Sequence, residues 1–428
     1  MSDTEEYTND DVEQHIPNPT GKNQHKDCPS VDDERVAEIL REYHRRNLTN
    51  KRLISKLLLA EHGIQMSEAT VTRRRKLLGL HGSRTTSCTL PVTIKRQLVL
   101  DQMAKDPARR QGPDLIKEGI AFACGVHISR DFVTAEMRQH DPTGFELRDP
   151  TVKKILRQPL VALGPHHEWS GDGHDKLSSI GFPIWGIRDK WSGKWLGLWV
   201  VPNNRLKTAI AYLYLTTIEN VGGMPLQTTT DCGSETTQVF GLANALREEF
   251  APEYSANDLP PHRFLRSVKN IVIERGWLRV RLQWGANVKI WWEEGEGIYN
   301  STDPLHYELV QWLWPKFIQE ELDHLRERLN NHPTRFDASK RLPSGVSPNV
   351  AIALAAEYGG TNCLLPVDLT VIHHLKAALG GEKLLRFVSV EFADHAEMVF
   401  ETLGIETITS DNIWDIFTKM LPLIKQLD

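Results

Sequence analysis

Three carboxylates in this chain stand where they could gather a hard cation: Asp172 in EWSGDGHDKL, Asp231 in TDCGSETTQV and Glu274 in SVKNIVIERGW. Asp231 follows Asp172 by 59 residues, and Glu274 follows Asp231 by 43. Two divalent ions held ~3.5–4 Å apart need acidic oxygens converging from separate elements. Mg²⁺ and Mn²⁺ take carboxylates together with water and phosphate oxygens, so two strand aspartates and one helix glutamate suit a pair of either ion. Spacing alone does not single out this triple, because 56 acidic residues offer many others. An Asp shortly before a Gly is by itself an ordinary turn. His166 and His167 precede the first segment and read as surface polar residues. No Walker-type phosphate loop occurs, so no nucleotide cofactor is expected.

The elements that must position these residues begin near 166. Residues 166–177 and 184–201 read as a hairpin, two aromatic and β-branched runs around a Gly-Phe-Pro turn. Residues 205–223 have helical periodicity, MPLQTTTD reads as a short strand ending on Asp231, and 236–250 as a helix. The segment 267–284 reads as a helix rich in Val and Ile, with Gly276 two residues after Glu274 as its weak point. Residues 304–331 read as a long helix broken near Pro315. The order of elements gives a mixed sheet with helices packed on it. Eleven tryptophans from Trp169 to Trp314 read mostly as core, with Trp291 and Trp292 as the exposed candidates for base stacking.

Ahead of this part lies a basic, helical one. Residues 31–100 carry 14 Lys/Arg against 7 Asp/Glu, while the whole chain has a net charge of −5. Helices are expected at 32–46, at 50–60 with Thr49 as N-cap, and at 67–78 with Ser67 as N-cap. Helix, Gly-containing turn, helix is the helix-turn-helix pattern. The last helix carries Arg73, Arg74, Arg75 and Lys76. Four consecutive cations spread around a helix, so they cannot all face one groove. The stretch HGIQMSEATVT (62–72) is matched by CGVHISRDFVT (124–134), so a second, less basic module follows the first.

In order and spacing the segments resemble the catalytic core of the retroviral integrase and DDE transposase superfamily. Trp169 with Asp172, Asp189 with Ser192, and Asp231 with Gly233 and Glu235 resemble three of its motifs. Asn270, Glu274 and Arg275 resemble its third-carboxylate helix, and NNHPTRFDASKRLPSGVSPN (330–349) resembles its closing segment. The resemblance implies an RNase H-like fold in which Asp172, Asp231 and Glu274 hold two Mg²⁺ or Mn²⁺ ions for DNA cleavage and strand transfer. It also implies phosphate contacts from Lys269, Arg275 and Arg279, double-stranded DNA as partner, and a homo-oligomer. Two other classes stay open: a transposon-derived DNA-binding protein without activity, and a metal-dependent nuclease only. The zinc-binding His/His/Cys/Cys module of many retroviral integrases is missing.

The expected organisation is a disordered tail (1–30), helix-turn-helix modules (31–85 and 90–150), an α/β core (160–350) and a small C-terminal α/β or α region (360–428). Five scattered Cys without a Cys-x-x-Cys pair point to a reducing compartment. With no signal-peptide pattern and no apolar run near the ~18 residues a span requires, a nuclear or cytosolic protein is expected, with no membrane partner.

Overall fold

The computed structural model describes residues 28–148, 160–266 and 270–425. The tail expected over 1–30 lies largely outside the described residues. Helices α1 (Glu34–Arg45), α2 (Lys51–His62) and α3 (Glu68–Leu77) form a first three-helix unit. The short α4 (Ser83–Thr89) leads to a second, α5 (Val92–Ala104), α6 (Pro113–Cys124) and α7 (Arg130–His140), followed by α8 (Pro142–Arg148). The sequence repeat is a repeat of backbone geometry. α2 ends on Gly63 and α6 on Gly125, both left-handed at φ 66° and 64°, where a residue without Cβ closes a helix at no steric cost. α3 and α7 begin on Ser67 and Ser129, whose hydroxyls accept from Thr70 N and Phe132 N. Matching Val71 and Val133 are fully buried. The cap of α2 is Asn50, not Thr49: its amide oxygen reaches both Arg52 N and Leu53 N.

The two units interlock through histidines. The His44 and His127 rings stack with centroids 4.0 Å apart. His44 Nε2 donates to Gly125 O at 3.0 Å, and His127 Nε2 donates to His44 O at 2.8 Å. Each ring therefore carries its proton on Nε2, and His44 Nδ1 faces the Arg75 guanidinium. Burial, then the neighbouring His127 and Arg75, hold His44 down at about 4, and burial lowers His127 as well. Both rings are neutral in the fold and would charge more readily unfolded. Their contribution is complete above the unfolded value of ~6.5 and is lost as pH falls below it, for His44 down to about 4. The melting temperature should thus drop between pH 7 and 4.5 more steeply in the parent than in His44→Gln/His127→Gln, because the unfolding free energy falls by at most ~1.4 kcal/mol per pH unit for each such ring. Parallel pH profiles of the two proteins would rule this out.

The remaining chain builds a sheet of β1 (Glu168–His174), β2 (Ile184–Asp189), β3 (Trp195–Val200), β4 (Gln227–Asp231) and β5 (His262–Leu265), in the order β3-β2-β1-β4-β5. β1, β2 and β3 are antiparallel, and β4 and β5 join in parallel. The run 184–201, expected as one arm of a hairpin, is itself a hairpin. Asp189, fully buried, accepts from Ser192 N and Oγ and so caps the Trp-Ser-Gly turn. The four-residue β5 had no sequence signal.

Helices α9 (Lys207–Val221) and α10 (Thr237–Phe250) cover one face of the sheet around Trp169, Ile210 and Leu213. The other face carries α11 (Ile271–Val280), a π-helical turn (Arg281–Gly285), α12 (Ala286–Glu293) and α13 (Pro304–Asn331), packed on Trp195 and Leu198. α13 runs unbroken through Pro315. A helix-interior proline costs ~3 kcal/mol, but Trp312, Leu313, Trp314, Phe317 and Ile318 are all buried around it and hold the helix together. After α14 (Pro348–Ala353), the C-terminal part is helical: α15 (Leu369–Leu379), α16 (Val390–Thr402) and α17 (Ile413–Ile424). Trp414 of α17 donates to Trp291 O, and Trp292 packs on Trp314 and Trp414, so neither Trp291 nor Trp292 is exposed for bases. No described helix is long and apolar enough to cross a membrane.

Candidate active site

Asp172 and Asp231 come from neighbouring strands. The parallel β1–β4 ladder pairs Glu168 with Gln227, Trp169 with Thr228 and Ser170 with Thr229. Two residues further along each strand, the same register sets Asp172 level with Asp231. Alternation puts both on the face of Ser170 and Thr229. Adjacent strands lie ~4.8 Å apart, so the two carboxylates are near neighbours.

Helix α11 lies over this face and is tied to it at two points. Ser170 Oγ donates to Asn270 Oδ1, just before the helix. One turn past Glu274, Trp277 Nε1 donates to Asp172 Oδ2 at 3.0 Å. Asn270, Glu274 and Trp277 share one stripe of the helix by their spacing of four and three, so Glu274 stands between the two anchors. The Trp277 ring is held in turn, stacked on His174 at 4.8 Å and packed on Trp195 at 4.9 Å. Gly276 is what lets the helix sit this low: a Cβ there would stand 2.5 Å from Trp195 Cζ2. The glycine that weakens α11 locally is thus the condition for its docking, and α11 is helical throughout Ile271–Val280.

The three carboxylates interact electrostatically. Burial, then the Asp231 charge and further that of Glu274, push Asp172 up to about 7, against the Trp277 hydrogen bond, which lowers it. Acidic oxygens that repel one another are the right donors for a hard divalent cation. Asp172 is half-buried, Asp231 half-buried and Glu274 exposed, which leaves the acidic edge open to solvent. Among the described residues, however, no three His, Cys, Asp or Glu side chains are closed into a metal-holding group. The donor set fits such a cation in chemistry.

The neighbouring acids lie elsewhere. Asp175 begins a 3₁₀ turn and accepts from Asn204 Nδ2 at 2.6 Å. Glu235 folds back over Gly233 in the turn before α10. His166 is buried and accepts from Trp169 Nε1, a structural role rather than the surface one expected. Trp277 was not expected at the site. Its spacing of three from Glu274 was the available signal.

The basic candidates divide. Arg74 is only 4% exposed and donates to Pro29 O, so burial removes it from any DNA-facing surface. Arg75 is half-buried and donates to Thr49 O at 2.7 Å. Arg73 and Lys76 are exposed. Lys269 lies outside the described residues. Arg275 and Arg279 fall on the opposite stripe of α11 from Glu274 and line a separate cavity with Val272.

Compared with known families, residues 161–347 match a family model described as integrase core domain. Among curated proteins none matches the chain.

Proposed function

From the match of residues 161–347 to an integrase core domain, we propose that this protein is a DNA polynucleotidyl transferase whose Asp172, Asp231 and Glu274 hold two Mg²⁺ or Mn²⁺ ions. One observation carries this reading: Asp172 and Asp231 each follow by two residues the paired Ser170 and Thr229 of adjacent parallel strands, and Asp172 is tied to the helix that bears Glu274. In the reaction, an oxygen of water or of a DNA 3′-hydroxyl bonds to a backbone phosphorus as the opposite P–O bond breaks, with no covalent link to the protein. Bound cations would supply Lewis-acid stabilisation of the attacking and leaving oxygens. Trp277 fixes one oxygen of Asp172, and Asn270 ties the start of α11 to β1, so the chain orients two of the acids in advance. Double-stranded DNA is the substrate. Joining two DNA ends in one complex calls for a homo-oligomer. The proposed units are modules at 31–85 and 90–150, a core at 160–350 and a C-terminal region from 360, in a nuclear or cytosolic protein.

The test is incubation of the purified protein with labelled duplex DNA and Mn²⁺. Nicked and joined products support the reading, and nicks alone reduce it to a nuclease. A second reading, DNA binding without catalysis, is favoured by the unclosed carboxylate group among the described residues. Binding with no product would establish it instead.

The first helix-turn-helix module is the proposed duplex reader, through exposed Arg73 and Lys76. Arg73→Ala/Lys76→Ala should weaken duplex binding and reduce the slope of log affinity against log salt by about two, one per lost phosphate contact. Arg74→Ala should lower the melting temperature and leave that slope unchanged, since it removes a buried support of α3. Equal slopes in all three proteins would take α3 off the DNA.

A further inference from the structure

On the side of α11 away from the carboxylates lies a cavity of about 700 Å³. Its wall carries six lysines and arginines against one carboxylate, Asp337. Asp337 is engaged by its own loop, accepting from Ser339 N at 3.1 Å and Ser339 Oγ at 2.6 Å. Lys190 is paired with Glu168 at 2.7 Å. The other five cations, Arg188, Arg275, Arg279, Lys340 and Arg341, have no ion-pair partner among the described residues. Arg188 donates to Gly193 O and to Val272 O, both at 2.7 Å, which fixes its guanidinium between the β2–β3 turn and α11. Arg275, Arg279, Lys340 and Arg341 are exposed. Cations gathered without counter-charges repel one another, and an acidic occupant relieves that repulsion.

The missing counter-charge is in the chain itself. Residues 1–14, MSDTEEYTNDDVEQ, hold six carboxylates and no Lys or Arg. Asp3, Glu5, Glu6, Asp10, Asp11 and Glu13 fall within eleven residues, a charge density that matches five cations around one cavity. Cys28, the first described residue, packs against the apolar cluster that contains Trp191 of the cavity wall. Leu342, also of the wall, packs against the same cluster. The 13 residues between Gln14 and Cys28 extend to ~45 Å at ~3.4 Å each, so the acidic stretch can reach the cavity from there. The cavity lies in the range that encloses a compact ligand, ~300–1,000 Å³, and suits part of an extended peptide. We propose that the acidic stretch 1–14 docks in this cavity of its own chain, with its carboxylates on Arg275, Arg279, Lys340 and Arg341. The docked stretch covers the basic wall, so another anion gains access to it only when the stretch is released. The inference stands on charge and connectivity, whether or not the three carboxylates across α11 bind metal.

The experiment compares the full chain with a full-length amide variant carrying Asp3→Asn, Glu5→Gln, Glu6→Gln, Asp10→Asn, Asp11→Asn and Glu13→Gln. The probe is a labelled synthetic peptide of residues 1–14, read by fluorescence anisotropy. The parent, its cavity already filled, should bind the peptide about tenfold more weakly than the amide variant, as a tether at ~1 mM effective concentration opposing a site of ~0.1 mM affinity requires. Adding Lys340→Glu/Arg341→Glu to the amide variant should weaken peptide binding by about tenfold or more, since two pairs are lost and replaced by repulsion. Adding Arg73→Ala/Lys76→Ala instead should leave it within about twofold, the range of an uninvolved surface change. Equal peptide affinity in the parent and the amide variant overturns the proposal. So does a loss through Arg73 and Lys76 as large as that through Lys340 and Arg341, which would put the acids on α3. Carbodiimide coupling in a mixture of isotope-labelled and unlabelled parent, read by mass spectrometry, separates the two sources of the stretch. Lys340 joined to a carboxylate of residues 1–14 in the same chain supports the proposal. Joints formed only between chains overturn it and make a second copy the occupant.

Discussion

Asp172→Asn should abolish cation-dependent DNA cleavage and at the same time raise the melting temperature of the metal-free protein. The first effect follows from removing a ligand charge at the centre of the acidic group, and a loss of at least about a hundredfold is expected for an electrostatic contact of this kind. The second follows from the same surroundings. Burial and the Asp231 and Glu274 charges hold Asp172 at about 7, well above its unfolded value of 3.8, so above that unfolded value the fold carries an ionisation cost that the unfolded chain does not. Asparagine removes the cost and keeps an oxygen for the Trp277 indole. A gain on the order of 1–2 kcal/mol at pH 7 is expected, discounted for partial solvent access. Asp231→Asn should behave alike in cleavage. Asp175→Asn, on the far side of the strand end, should cut like the parent. Full cleavage by the Asp172→Asn protein would remove the acidic group from the chemistry, and a lower melting temperature would show that the three charges do not strain the fold.

The same three residues show what the sequence exposes and what it conceals. Asp172 and Asp231 were legible through the local motifs they stand in, Asp172 within its strand three residues after Trp169 and Asp231 at the end of a strand, where a side chain meets solvent. Their mutual register was not, since parallel pairing between segments 59 residues apart leaves no local pattern. The helical repeat was legible down to its capping serines and left-handed glycines, because caps are local chemistry. The fate of Arg74 was concealed, because its burial depends on Pro29 arriving from another part of the chain. Helix α11 read as insecure for a related reason: Gly276 lowers local helix propensity, while its benefit lies in contact with Trp195 of another element. β5 is four residues long and pairs only with β4, too little for any periodicity to register.

Gly276 supplies the second large effect. Gly276→Ala improves helix propensity by ~1 kcal/mol, yet its Cβ would meet Trp195 Cζ2 at 2.5 Å. Trp195 is 2% exposed and packed on Trp277, so the ring has little room to retreat. Overpacking of about 1–3 kcal/mol should win, and Gly276→Val should lose more, since a β-branched residue forgoes the propensity gain. Either change lifts α11 from the sheet, so cleavage should fall well beyond what the stability loss accounts for at a temperature where the protein remains folded. The measurements are chemical denaturation and cleavage rate below the melting transition. A Gly276→Ala protein as stable and active as the parent would mean that α11 does not dock through this notch.

α11 presents Glu274 on one stripe and Arg275 and Arg279 on the other, within ten residues. A helix that walls two compartments would link them: a cation that drew Glu274 toward the strands would carry Arg275 and Arg279 with it, and the cavity they line would change shape. On this account the helix is a transmission element between the acidic edge and the space behind it.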